Sequence, residues 1–174
     1  MKTLLIVDGY NVIHGWPSLA LRAQENLEWA REELIGVLED YAGFAGTDVL
    51  LVFDAHMSAA ADRTEVTKGP LTIVYTRAEE TADQYIERRV QEHKDAQTGV
   101  QISVATSDGT EQSLVLGLGA ARVPARELRQ LVEAAKDRQR GLAGAPQTRS
   151  PLESRVTQHV IDKLEAIRRG PVEE

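Results

Sequence analysis

Three strand-like stretches in this chain run toward an aspartate. Leu4-Leu5-Ile6-Val7 meets Asp8, Val49-Leu50-Leu51-Val52-Phe53 meets Asp54, and Val100 to Ala105 reaches Asp108 after Thr106 and Ser107. The first two are unbroken apolar runs, which suit strands covered on both faces, as in a parallel sheet. A fourth run, Leu71 to Tyr75, follows Pro70. Parallel neighbours need long crossovers, usually helical, and helical patterns do lie between these runs. The expected fold is therefore α/β: a three-layer α/β/α arrangement around a central, mainly parallel sheet.

The helical patterns are legible in part. Leu27, Ala30, Leu34, Val37, Leu38 and Tyr41 share one face of a helix expected from about Glu25 to Tyr41, with Gly43 and Gly46 ending it. Residues 57–69 show neither period and read as a mobile loop or a short helix. A further helix opens around Thr81, with Ala82, Ile86 and Val90 on its inner face, and Glu79, Glu80 and Asp83 in or before its first turn. Residues 113–116 suggest a short helix, Ala120 to Val123 a short edge strand, and Pro124 the start of a helix buried along Leu128, Leu131, Val132 and Ala135.

The small and helix-breaking residues of 141–150 read as a linker. Beyond it, Ser150, Pro151 and Glu153 begin a helix over 151–170 with Leu152, Val156, Val160, Leu164 and Ile167 on one face. The expected organisation is a domain over residues 1–140, the linker, and a C-terminal helix that docks on the domain or on a partner.

Composition narrows the chemistry. There is no cysteine, which excludes disulfides, thiolate metal sites and cysteine nucleophiles. No apolar stretch approaches the roughly 18 residues of a membrane helix, and Met1-Lys2-Thr3 leads directly into a strand. A cytoplasmic protein is expected. The net charge of −7 is unevenly spread: residues 1–120 hold 9 Lys and Arg against 19 Asp and Glu, whereas residues 121–174 hold 11 against 8. The basic surplus begins with Arg122, Arg126 and Arg129, which would suit a polyanion such as RNA. Interleaved Glu127 and Glu133 allow the plainer reading of a solvated helix face.

In a parallel α/β sheet the strand ends share one edge, and ligands bind there. Asp8, Asp54 and Asp108 should then meet Glu80 and Asp83 in one crevice. Asp8, following a buried apolar strand, has no local helix to cap, whereas the others also have a local explanation. Acids favour helix N-termini, Asp108 with Glu111 fits a capping box, and strand-end aspartates make turns. Unpaired carboxylates brought together repel, and a hard divalent cation resolves the conflict. Oxygen-only donors suit Mg2+ or Mn2+, which activate water and stabilise charge developing on a phosphodiester. Asn11 would orient a water or touch phosphate, or form the turn. Tyr10, Trp16 and Arg77 could contact RNA, with core packing the alternative for Tyr10.

Val7-Asp8-Gly9-Tyr10-Asn11, Val52-Phe53-Asp54-Ala55-His56, Glu80-Thr81-Ala82-Asp83 and Ala105-Thr106-Ser107-Asp108 together resemble the YacP-like NYN-domain ribonucleases of the PIN-like nuclease superfamily, over residues 3 to about 130. The resemblance implies a metal-dependent endoribonuclease with Asp8, Asp83 and Asp108 as the metal site. Asn11 and Glu80 would join them in catalysis, with Asp54 and Glu111 behind. It also implies mRNA turnover on translating ribosomes, which fits an acidic domain that would bind free RNA poorly. Two rivals stand beside it. A haloacid-dehalogenase-type phosphatase also ends its first strand in aspartate but needs an acid two residues later, where this chain has Tyr10. A non-catalytic RNA- or ribosome-binding module would keep the acidic pocket without the chemistry.

Overall fold

The computed structural model describes residues 2–55, 64–107 and 117–144. Its strands are β1 (Thr3–Asp8), β2 (Asp48–Phe53), β3 (Thr64–Lys68), β4 (Leu71–Tyr75), β5 (Gln101–Ala105) and β6 (Ala121–Val123), and they form one sheet in the order β3-β4-β2-β1-β5-β6. All pairings are parallel except that of β3 with β4. The helices are α1 (Gly9–Gly15), α2 (Pro17–Glu25), α3 (Leu27–Ala45), α4 (Ala82–Asp95) and α5 (Ala125–Gly144).

Strand alternation sends side chains into two apolar layers. Leu5, Val7, Val49, Leu51, Phe53, Leu71 and Ile73 pack with Val12 and Ile13 of α1, Ala30, Leu34 and Leu38 of α3, and Leu128 and Val132 of α5. On the other face Ile6, Leu50, Val52, Val74 and Val104 meet Ala82, Tyr85, Ile86 and Val90 of α4. Each fully buried Leu, Ile or Phe contributes about 1.5–3 kcal/mol. The result is the expected three-layer α/β fold with a mixed, mostly parallel sheet.

Several local features differ from what the pattern suggested. Residues 9–25 form two helices, because Asp8 caps the first and Trp16-Pro17 ends it and starts the second, with Pro17 in the first turn. Asn26 caps α3 by accepting from the N–H groups of Glu28 and Trp29. That helix passes through Gly43 and stops at Gly46, whose φ of 63° supplies the left-handed cap. β3 lies within the stretch read as loop or short helix: all five of its residues are exposed, so it carries no apolar alternation and exists through pairing with β4. On α5 the buried positions are Ala125, Leu128, Val132 and Ala135, while Leu131 is 43% exposed.

The chain divides into two compact units, residues 1–139 and 140–174. Of the second, the described part is the end of α5, which continues helically to Gly144. A glycine inside a helix costs only about 1 kcal/mol, so Gly141 does not stop it. The expected short helix at 113–116, residues 145–150 of the expected linker and the C-terminal helix lie outside the described residues. No helix among the described residues is long and apolar enough to cross a membrane.

Candidate functional site

β1 and β5 are neighbours, but the strands that follow them in sequence lie on opposite sides of the pair, β2 beyond β1 and β6 beyond β5. This is a topological switch point, where a doubly wound sheet opens a crevice beyond its strand ends. Asp8 ends β1 at this place.

Asp8 is 9% exposed, and its Oδ1 accepts from the Asn11 N–H at 3.3 Å. A strand-end carboxylate that the sequence suggested had no helix to cap does cap one, α1. Capping fixes the rotamer of the carboxylate and sets it in the positive field of the first turn. Gly9 is required here: a Cβ at this position would lie 2.3 Å from the Cε1 of Phe53. Phe53 sits between Tyr10, centroids 5.1 Å apart, and Tyr75, at 5.4 Å. These three rings brace the ends of β1, β2 and β4.

Asn11 reaches across the crevice. Its Oδ1 accepts from the Ser107 N–H at 2.6 Å, tying α1 to the residue that precedes Asp108. Ser107 Oγ in turn accepts from the Ala125 N–H at the start of α5, at 3.4 Å. Trp16 Nε1 donates to the Ala125 carbonyl at 2.7 Å, so this buried indole is a structural tie and does not stack on bases. Tyr10 is also buried, and its hydroxyl accepts from Arg31 Nη1 at 2.8 Å. Burial pushes the Tyr10 phenol above its ordinary pKa, an effect its hydrogen bond with Arg31 only partly offsets. Burial also works against the Arg31 charge, but Tyr10 and Glu28 outweigh it and the guanidinium pKa is raised. The position at which a phosphatase would require an acid is thus filled by a buried tyrosine bonded to Arg31.

On the other side, Asp54 Oδ2 accepts from the Ala82 N–H at 3.4 Å, the first residue of α4. Thr81 and Gln84 complete a capping box at 3.2 and 3.1 Å. Together these fix where Asp83, exposed in the first turn, stands relative to the sheet edge. Fully buried Thr76 locks the adjacent loops: its N–H donates to the Phe53 carbonyl, and its Oγ1 accepts from the Ala55 N–H, both at 3.0 Å. Glu80 is ion-paired with Arg88 of α4. Arg88 also lies 5.1 Å from the centre of the Tyr85 ring, and its pKa is raised chiefly by the hydrogen bond to Glu80.

Of the expected site residues, Asp8, Asn11, Asp54, Glu80 and Asp83 thus occupy strand ends or the helix start at one sheet edge. Asp108 and Glu111 lie outside the described residues. Among the described residues, no three acidic or imidazole side chains form a metal-holding group on their own. The donors here are all oxygen, which fits a hard divalent cation better than zinc. Arg77 is exposed in the loop after β4, Arg122 on β6, and Arg126 and Arg129 on α5, where Arg129 pairs with Glu133 at 2.8 Å. Sequence reasoning missed Thr76, Ser107 and Arg88. The first two gave no signal beyond their place after a strand, while Arg88 stands eight residues after Glu80 among other helix charges.

Comparison with known proteins agrees with this fold. The family described as YacP-like NYN domain matches residues 5–169. The chain is 35% identical over 171 residues to a Bacillus subtilis protein described as uncharacterized protein YacP, covering 98% of this chain and 99% of that one. The crystal structure of Rae1 (YacP) from B. subtilis superposes with a TM-score of 0.67 at 36% identity, over 98% of this chain and 96% of that chain. Its W164L mutant gives 0.68 at 35% identity over 83% and 87%.

Proposed function

Since this chain belongs to the YacP-like NYN domain family, a group within the PIN-like nucleases, we propose that it is a metal-dependent endoribonuclease that hydrolyses RNA phosphodiester bonds, cytoplasmic and acting in mRNA turnover at the ribosome. The observation that carries this reading is the hydrogen bond from the Ser107 N–H to Asn11 Oδ1. It spans the β1–β5 switch point and joins the Asp8 junction to the residue before Asp108.

In this reading Asp8, Asp83 and Asp108 would hold Mg2+ or Mn2+, and Asp54 and Glu111 support them from behind. The bound cation would activate water and neutralise charge developing on the phosphate. Asp8 is pre-set by its cap, so little reorganisation is needed when the site fills. Asn11, with its carbonyl committed to Ser107, directs its amide nitrogen toward a phosphate oxygen or the attacking water. Asp54 orients the first turn of α4 and with it Asp83. Arg122, Arg126 and Arg129 steer the strand electrostatically, and the acidity of the rest of the domain makes a ribosomal surface a useful guide for the RNA.

The test uses defined single-stranded, structured and ribosome-bound RNAs with Mn2+, Mg2+ or chelator, alongside thermal melting with Mn2+. Metal-dependent cleavage is expected, together with a Mn2+-induced rise in melting temperature that Asp83→Asn abolishes. Full activity in excess chelator overturns the mechanism. A Mn2+ shift with no cleavage of any RNA would favour the binding-module reading instead.

A further inference from the structure

Beside the proposed site, Arg77, Glu79, Glu80 and Arg88 line an open cleft of about 390 Å³. The loop that carries it is held by a turn in which the Glu80 N–H donates to the Arg77 carbonyl at 3.0 Å. The same turn therefore sets one arginine of the cleft, Arg77, and the carboxylate that anchors the other, Arg88.

Arg88 is held on three sides. Nη2 pairs with Glu80 Oε1, Nη1 lies 3.4 Å from Glu92 Oε1, and the guanidinium rests over the Tyr85 ring. Glu92 is itself shared with Arg89 at 2.9 Å. Despite these contacts the Arg88 side chain is 41% exposed, whereas that of Glu80 is 17% exposed. The pair is thus asymmetric: the carboxylate is turned inward and the cation keeps an open face on the cleft. Anchoring a long side chain in advance removes much of the entropy a ligand would otherwise have to freeze. Guanidinium donors match phosphate oxygens in a way that a lysine does not.

We infer that Arg88 and Arg77 form a phosphate clamp for the RNA backbone next to the scissile bond, and that Glu80 is the positioning residue that aims Arg88 and is not a metal ligand. This rests on the RNA-cleaving function proposed above. It gives Glu80 a task different from holding metal or water, and assigns Arg88 a role that its place among ordinary helix charges conceals.

The experiment measures binding of a short fluorescent single-stranded RNA by anisotropy in EDTA, where no metal-dependent cleavage interferes, across a salt series. Arg88→Gln and Glu80→Gln are each expected to weaken binding about tenfold. Each should also lower the slope of log K against log salt by about 0.7, the value for one phosphate contact on a single strand. Arg88→Lys should recover the slope but only part of the affinity. Arg22→Gln, which removes a surface arginine of α2 paired with Glu33, corrects for the change in net charge. Melting temperatures of all variants identify any that fail to fold. In parallel, Glu80→Gln should retain the Mn2+-induced thermal shift that Asp83→Asn loses. Unchanged affinity and slope in Arg88→Gln overturn the clamp. Loss of the Mn2+ shift in Glu80→Gln with unchanged RNA binding makes Glu80 a metal ligand and overturns its positioning role. If wild-type protein binds no RNA even at the lowest salt of the series, where phosphate contacts are strongest, the clamp falls; if it binds with the expected slopes but cleaves nothing, the clamp stands and the catalytic reading falls.

Discussion

β1 and β2 end alike in sequence and differently in space. Both run from a buried apolar stretch into an aspartate followed by a small residue, Gly9 in one case and Ala55 in the other. Asp8 caps the helix that begins at the very next residue, at the crevice between β1 and β5, where Asn11 ties the walls together. The carboxylate of Asp54 reaches 28 residues along the chain to receive the first N–H of α4. The lesson is that one sequence signature serves two jobs. At the switch point the carboxylate caps the helix that follows its own strand, and one strand over it anchors the distant helix that carries Asp83.

The sharpest way to break this contrast is to neutralise each aspartate in turn. Asp8→Asn should lower RNA cleavage about a thousandfold or more, the loss of several kcal/mol of charge stabilisation, while melting stays near wild type. Asp54→Asn keeps an oxygen that can accept from Ala82 and should cost no more than about tenfold. Equal losses in single-turnover cleavage would place both carboxylates at the reacting phosphate and erase the distinction.

The small residues give the next largest effect. Gly9→Ala forces a methyl into the Phe53 ring and should destabilise the fold by about 3 kcal/mol, at the upper end for overpacking. Ala55→Gly removes one buried methyl and adds backbone freedom, so about 1 kcal/mol is expected. Urea unfolding of the two variants measures the difference. If Gly9→Ala is as mild as Ala55→Gly, Phe53 yields easily and the β1 junction is not rigidly braced.

The smallest effect concerns the two tyrosines that flank Phe53. Burial raises the pKa of Tyr10 and of Tyr75 above the ordinary value of about 10. A phenol whose folded pKa is raised favours the fold while protonated. Its contribution is therefore fully present below the unfolded pKa and is lost as pH rises through the folded one. Stability contributed by these groups should be level from neutrality to about pH 10 and then fall. Tyr10→Phe should cost about 1 kcal/mol at neutral pH through the lost Arg31 hydrogen bond and make the alkaline fall shallower. Denaturant melts between neutral and alkaline pH test both parts. An unchanged alkaline limb would mean that Tyr75 and Tyr41, whose phenol burial also raises, carry it alone.

Apolar runs and helical spacing made most of the architecture readable: β1, β2, β4 and β5 and the cores of α3, α4 and α5 follow from burial, and burial is written in hydrophobic pattern. β3 was unreadable because an exposed edge strand needs no such pattern. α1 and α2 were missed because their boundaries are set by Asp8, Trp16-Pro17 and Asn26, polar caps and breaks with no apolar stripe long enough to announce a helix. At the candidate site the strand-end places of Asp8 and Asp54 were legible, since parallel strands end at one edge of their sheet.

What the sequence determined by itself is the buried parallel strands and the edge at which they end, because hydrophobic burial and strand polarity act along the chain. Which polar groups hold which was decided only by the tertiary structure. Asn11 with Ser107, Asp54 with Ala82, and Trp16 with Ala125 join residues 28 to 109 positions apart. Hydrogen bonds are short and directional, so such pairs exist only once packing has brought their atoms within about 3 Å of each other. Glu80 shows the same dependence within a shorter stretch. As a letter it is one acid among several before a helix; in the fold Arg88 takes its carboxylate, because the turn at Arg77–Glu80 and the second turn of α4 face the same cleft.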